Sequence, residues 1–208
     1  MDPAVSLEVD GLCWDAGDRP LFQDWQGHIG PGVTLVQGDE GSGKSSLLRL
    51  LAGALPARAG RLCLGGAELA TQPQRYRSQV FWIEPRTDAH DQDTAAVWLD
   101  QLRNQHAAFD DTDLPALFDA LGLKEHLHKP LYMWSTGSRR KLWFAGARAS
   151  GAPLTLVDEP FAAIDRRSIA VMLEVLRAQA AAARRAWVLA DYEAPPGVPL
   201  AATLVLPG

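Results

Sequence analysis

Six short runs of β-branched and other apolar residues punctuate the chain: VSLEV (5–9), VTLVQ (33–37), VFWI (80–83), LTLV (154–157), WVLA (187–190) and TLVL (203–206). Several are apolar without alternation, the pattern of strands covered on both faces of an α/β sheet. Between them the period changes to that of a helix. In DLPALFDALG (113–122), Leu114, Leu117, Phe118 and Leu121 fall on one face, with Asp113 available as cap and Gly122 at the end. In SIAVMLEVLR (168–177), Ile169, Met172, Leu173 and Leu176 share a face behind Ser168 as cap. AGRLCLGGAELA (59–70) predicts a β-hairpin, and 86–150 is helical in character with no convincing strand. No repeat or linker interrupts the chain. The pattern predicts one α/β domain. About 1–85 and 151–208 form the core sheet and an N-terminal β-subdomain, and about 86–150 forms an inserted helical subdomain.

Candidate chemistry gathers at the ends of these runs. GDEGSGKS (38–45) fits G-x-x-x-x-G-K-[ST] between the strand VTLVQ and the helix SLLRLLAG. That strand–loop–helix context separates it from a plain Gly-rich turn. Gly38, Gly41 and Gly43 let the loop wrap, so that the backbone through Asp39, Glu40 and Ser42 turns N–H groups inward above a helix N-terminus. Lys44 reaches the β- and γ-phosphates, the Ser45 hydroxyl suits Mg²⁺, and Ser46 can donate toward the α-phosphate. This implies a P-loop NTPase core of the RecA-like kind. LTLVDE (154–159) ends a strand in two carboxylates: Asp158 suits a hold on the same Mg²⁺, and Glu159 is placed to orient or deprotonate the attacking water. A surface loop can end in the same pair, and it is the cradle upstream that gives this one its meaning.

MWSTGSRRK (133–141) reads two ways. Arg139, Arg140 and Lys141 could be a nucleic-acid or lipid patch, or Ser135, Thr136, Gly137 and Ser138 could open a helix whose first turn holds an anion. The formal net charge of -5 removes any general attraction to nucleic acid or anionic lipid. The anion reading is adopted, and the basic triplet is expected to be the charged outer flank of that helix.

The remaining composition excludes more than it assigns. Hydrophobic content of 47% with 22% charged residues is that of a soluble globular protein. MDPAVSLEVDG lacks the basic start and apolar run of a leader, and no run approaches a membrane span. Cys13 and Cys63 are expected as reduced thiols, with a bridge as the alternative. The five histidines show no ligand spacing.

Taken in order, these segments resemble the ATP-binding cassette (ABC) ATPases, the nucleotide-binding subunits of ABC transporters. GDEGSGKSS resembles the family's Walker A motif and LTLVDEP its Walker B with catalytic Glu159. WSTGS is similar to the LSGGQ signature but carries Trp134, Thr136 and Ser138 in place of family residues. FAAID (161–165) is similar to the D-loop, with Asp165 as its aspartate. The short length, FWIEPR and STGSRRK most resemble small cassettes such as the haem-exporter ATPase of cytochrome c maturation.

The resemblance implies ATP and Mg²⁺ as cofactors. It also implies a head-to-tail dimer, homo- or heteromeric, in which Ser135 and Gly137 meet the γ-phosphate held by a partner. A separate transmembrane permease would dock near 84–92, and the chain would work at the cytoplasmic face of the membrane. Three positions depart from the pattern. Glu84 stands where a glutamine senses Mg²⁺, and it is either a water-mediated ligand or a plain loop residue. Tyr192 lies nearest the position of a histidine on the γ-phosphate. The adenine-stacking aromatic is either Trp14 in the β-subdomain or displaced by spacing, with Ala16 in its place. These departures keep open a second class, a nucleotide-gated regulatory protein with little or no turnover. No N-K-x-D for guanine is present, and the gap between cradle and signature is too short for a coiled coil.

Overall fold

In the computed structural model of the chain, residues 5–206 are described; the reading of the amino-terminal residues as free of a leader falls partly on residues 1–4, outside them. The fold has two sheets and six helices among the described residues. A five-stranded parallel sheet runs in the order β6 (Val80–Phe81), β7 (Leu154–Asp158), β8 (Ala186–Asp191), β3 (Gly32–Gln37), β9 (Ala202–Val205). An antiparallel sheet runs in the order β2 (Arg19–Ile29), β1 (Leu7–Ala16), β4 (Ala59–Leu64), β5 (Ala67–Glu68).

The continuous apolar runs are strands because both faces of the parallel sheet are covered. In β8, Trp187 and Leu189 enter one core cluster, while Ala186, Val188 and Ala190 enter the other. Successive side chains of a strand point to opposite faces, so every position of the run is buried. One face packs against α1 (Lys44–Leu51) and the antiparallel sheet, through Leu47, Leu48, Leu50, Leu51 and Leu7. The other carries α5 (Thr136–Ser150) and α6 (Arg166–Ala182), with Phe144 against Trp187 at 5.8 Å between ring centroids.

Between β6 and β7 the described residues hold helices: α3 (Ala95–Gln105), α4 (Leu114–Ala120), two short 3₁₀ turns, and α5. α2 (Pro73–Arg77) precedes β6. Leu114, Leu117, Phe118 and Leu121 are buried together as their spacing predicts, and so are Met172, Leu173 and Leu176.

Two expected caps are corrected. The α6 cap is Asp165, whose carboxylate accepts from the Ser168 N–H at 2.9 Å, so Ser168 lies inside the helix. Asp113 precedes α4 but its carboxylate accepts from Arg148 at 2.6 Å instead of capping. The hairpin at 59–70 is present as β4 and β5, and Cys13 and Cys63 are free thiols.

Candidate active site

The carboxyl ends of β3, β8 and β7 lie side by side, and the candidate residues hang from them. Neighbouring strands are about 4.8 Å apart, so the loops after β3 and β7 open roughly 10 Å from one another, with the β8 end between. That is the span of a triphosphate and its counter-ion.

The loop after β3 turns through Gly41 (φ 76°) into Gly43 (φ 99°), which precedes α1 in a left-handed conformation. A side chain at Gly43 would also meet Leu21 and Phe22 of the antiparallel sheet at 3.2 and 3.5 Å. Glycine is required there for its backbone, and a side chain would also press closely on Leu21. Lys44 is 6% exposed; its Nζ donates to Gly38 O at 2.6 Å and to Asp39 O at 2.9 Å, and lies 4.1 Å from the centre of the Tyr192 ring. Tyr192 leaves the end of β8, with its N–H on the Asp191 carboxylate at 2.7 Å and its carbonyl accepting from Gln37 at 2.9 Å. A cleft of about 310 Å³ opens here, lined among others by Asp39, Lys44, Ser45, Ser46, Glu159 and Tyr192.

Its outer wall is Ala16 and Leu21. Trp14 is not on that wall: it packs half-buried against the cluster beneath the antiparallel sheet. Of the two placements the spacing allowed, Ala16 lines the cleft, while Trp14 packs against the core cluster. Leu21 was not found from the sequence, because β2 itself was not.

A second cleft of about 270 Å³ meets the first at Glu159 and is lined by Ser45, Glu84, Pro85, Arg86, Arg140, Asp158 and Glu159. Burial pushes the Asp158 carboxyl up from its ordinary range; Glu159 and Glu84 act in the same direction, while the Ser45 hydroxyl and Arg140 oppose them. One Asp158 oxygen, Oδ1, is buried without a hydrogen-bond partner. A buried carboxylate oxygen without a donor, beside a hydroxyl and among further carboxylates, is an environment that fits a cation.

No group of three or more His, Cys, Asp or Glu among the described residues forms a metal cage. Mg²⁺ takes one or two protein ligands and completes its shell with water and phosphate oxygens, and the Ser45 hydroxyl beside Asp158 is a donor pair of that kind. Glu84 faces this cleft and pairs with Arg49 at 3.5 Å, so it belongs to the site's rim.

Ser135 caps α5, its Oγ accepting from the Ser138 N–H at 3.1 Å and lying 3.0 Å from the Ser138 hydroxyl. Ser135 and Thr136 are exposed, Trp134 is buried with its indole N–H on the Lys129 carbonyl, and none of 135–138 lines either cleft. Within one chain the structure therefore keeps the WSTGS turn apart from the phosphate loop.

The basic triplet is not an outer flank. Arg139 donates to Asp91, Arg140 is 8% exposed against the carbonyls of Asp158 and Glu159, and Lys141 pairs with Asp165 at 2.7 Å. Asp165 is held well below the usual carboxylate range by the Lys141 ammonium and the Ser168 donors. Each cation has an internal partner, so the triplet is an ionic hub under the site. Arg140 lines the second cleft, on the side of its helix opposite to the one the sequence pattern gives it.

Over residues 23–162 the sequence matches the ABC transporter family. The chain belongs to the ABC transporter family. Within it the ABC subunit is the ATP-binding, ATP-hydrolysing kind. It is 34% identical over 167 residues, 80% of each chain, to the cytochrome c biogenesis ATP-binding export protein CcmA of Pseudomonas putida. It is also 34% identical over 186 residues to the protein of that name from Rhodospirillum rubrum, covering 86% of this chain and 77% of that one.

Solved ABC structures share the fold. An ATP binding subunit of an ABC transporter superposes with a TM-score of 0.80 at 24% identity, over 89% of this chain and 79% of that one. A bacterial Atm1-family ABC exporter with ATP bound gives 0.78 at 20% identity, over all of this chain and 38% of that one. Nothing in these likenesses favours an ABC subunit that binds nucleotide without turning it over.

Proposed function

We propose that this ABC ATPase closes on ATP as a head-to-tail dimer and so drives a separate transmembrane permease, in an export system of the cytochrome c biogenesis kind. The observation that carries this reading is the convergence of Lys44, Ser45, Asp158 and Glu159 on two joined clefts at the carboxyl ends of β3 and β7. Backbone N–H groups from Gly38 to Ser46 and the Lys44 ammonium bind and orient the β- and γ-phosphates. Ser45 and Asp158 would hold Mg²⁺, which supplies neutralisation of phosphate charge when bound. Glu159 orients the attacking water and accepts its proton.

Lys44 begins on two carbonyls and under the Tyr192 ring, so phosphate oxygens must replace those partners as the nucleotide enters. Tyr192 contributes a hydroxyl toward the γ-phosphate and no charge at neutral pH. Ser135, Thr136, Gly137 and Ser138, at the start of α5, complete the site of a partner subunit; Asp165 stands at that same interface. No helix among the described residues is long and apolar enough to cross a membrane; the likeness to ATP-binding export proteins supports a peripheral place under a permease at the cytoplasmic face. We divide the chain functionally into the sheet core with its β-subdomain, about 1–85 and 151–208, and a permease-facing helical lobe, about 86–150.

Changing Glu159 to Gln tests the reading. Steady-state phosphate release is expected to fall by roughly 10²–10⁴-fold, the contribution of a general base, while ATP binding persists and dimer accumulates in size-exclusion profiles. Turnover at the wild-type rate would remove Glu159 from the mechanism.

A further inference from the structure

We infer that Arg140, on α5, is a positioning residue that fixes Glu159 in the geometry needed for hydrolysis. The inference rests on the reading of Glu159 as the group that acts on water. A guanidinium at 8% exposure is held in a place that disfavours charge, so its partners define what it is for. Arg140 Nη1 donates to the Glu159 carbonyl at 2.5 Å and to the Asp158 carbonyl at 3.4 Å, and Nη2 lies 3.8 Å from Glu159 Oε2.

Glu159 has a backbone that needs such a hold. Its φ is 45°, in the left-handed region that a side chain larger than hydrogen disfavours, and such residues persist only where neighbours over-determine them. Its N–H is fixed on the Ala190 carbonyl at 2.9 Å, and its C=O accepts from Arg140 at 2.5 Å and, at the longer distance of 3.2 Å, from the Ala162 N–H of its own loop. Both peptide groups are thus pinned, one by the sheet and one by α5. Without Arg140 the carbonyl keeps only the longer bond from Ala162, which moves with the same loop, so the tie to α5 is lost and the peptide can relax, turning the carboxylate away from the cleft it shares with Ser45 and Asp158.

The same face of α5 meets the rest of that loop. Gly137, Arg140 and Lys141 are spaced i, i+3, i+4; Gly137 packs on the Ala163 carbonyl and Lys141 pairs with Asp165. The helix that begins at WSTGS therefore grips the 159–165 segment at three points, and Arg140 is the grip at Glu159. Displacement of the α5 start, where a partner's nucleotide would touch, is transmitted to this subunit's own Glu159 through that contact.

The test is a double-mutant cycle on the full chain, with Arg140→Met and Arg140→Lys each made in the native and the Glu159→Gln backgrounds. Steady-state phosphate release and ATP affinity are the readouts. Arg140→Met is expected to lower kcat on the order of 100-fold, the effect of a misplacement of about 1 Å, with KM and ATP affinity within about threefold. Arg140→Lys, which keeps one charged donor, should recover to within roughly tenfold of native turnover. In the Glu159→Gln background neither Arg140 change should lower the residual rate by more than about twofold.

A rise in KM with kcat unchanged would make Arg140 a nucleotide ligand and overturn the inference. An equal loss of kcat in both backgrounds would reduce Arg140 to general structure and overturn it as well. Should Arg140→Met fail to fold, Arg140→Lys in the two backgrounds decides alone. Native turnover in Glu159→Gln by itself would sink the reading of Glu159, an outcome visible before any Arg140 variant is compared.

Discussion

A single methyl group at residue 137 separates two explanations for the glycine of the WSTGS turn. A Cβ built on Gly137 lies 2.4 Å from the carbonyl oxygen of Ala163 and 3.5 Å from its carbon. An ordinary carbon–oxygen contact is about 3.3 Å or more, so Gly137→Ala requires α5 and the 159–165 loop to part by about 1 Å. The obstructing atom is backbone, and Ala163 already sits at φ 60°, so the loop has little freedom to yield.

Overpacking of this kind costs up to about 3 kcal/mol. Replacing glycine within a helix returns about 0.5–1 kcal/mol, leaving roughly 2 kcal/mol net. For a domain of this size that lowers Tm by about 4–8 °C. Thermal unfolding without nucleotide isolates this intrachain effect from any contact to a partner's phosphate. Gly30→Ala is the control: its Cβ meets nothing closer than His28 at 3.7 Å, and the change should stay within about 0.5 kcal/mol. Turnover of Gly137→Ala should fall on the order of 100-fold, because the displaced segment carries Glu159. A Tm equal to the control's, with native turnover, would refute the packing account.

Two further outcomes follow from individual side chains. Tyr192→His removes the ring from Lys44, an interaction worth about 0.5–1 kcal/mol at an exposed site, and offers a chargeable donor; phosphate release should rise, and an unchanged rate would make Tyr192 a packing residue only. His106 is buried against Phe81 with Nδ1 unpartnered, and burial, aided by Arg185, pushes its pKa below the ordinary 6.5. Below that value the unfolded chain takes up a proton that the folded one refuses, so stability is present above about pH 6.5 and is lost as pH falls toward the folded value. His106→Phe should flatten the decline of Tm between about pH 7 and pH 5, and an unaltered slope would dismiss the histidine as its source.

The sequence was most legible where one physical demand acted alone. The runs of β3, β7 and β8 are covered on both faces, so unbroken apolar stretches told their place. The glycines and lysine of the phosphate loop were legible because few residues can make that turn. β2 was missed because RPLFQDWQGHI holds Pro20 and Gly27 and its apolar positions follow no clean period; its pairing with β1 shifts register three times. β1 runs on to Ala16 past the predicted end at Val9, through an irregular stretch that contains Gly11 at φ 62°. VFWI pairs over two residues instead of four, since the chain then turns toward Glu84.

The basic triplet failed for a different reason. Consecutive charges usually mark a solvated face, and only the loop's arrival beneath α5, with Asp91 on one side and Asp165 on the other, turns them inward. Such partners are 48 and 24 residues away in the chain, and no local pattern announces them.

The parallel sheet has a second rim. At its amino edge the Gly32 N–H meets the Arg185 carbonyl and the Ala186 N–H meets the Pro153 carbonyl, so the strand starts are tied together without any candidate residue among them. Arg184 is exposed there, just beyond the end of α6. A dye or surface tether attached at that position would orient the molecule with both clefts facing away from the support. Cys13 and Cys63 are the native thiols, part-buried in the antiparallel sheet, that such labelling would have to replace first.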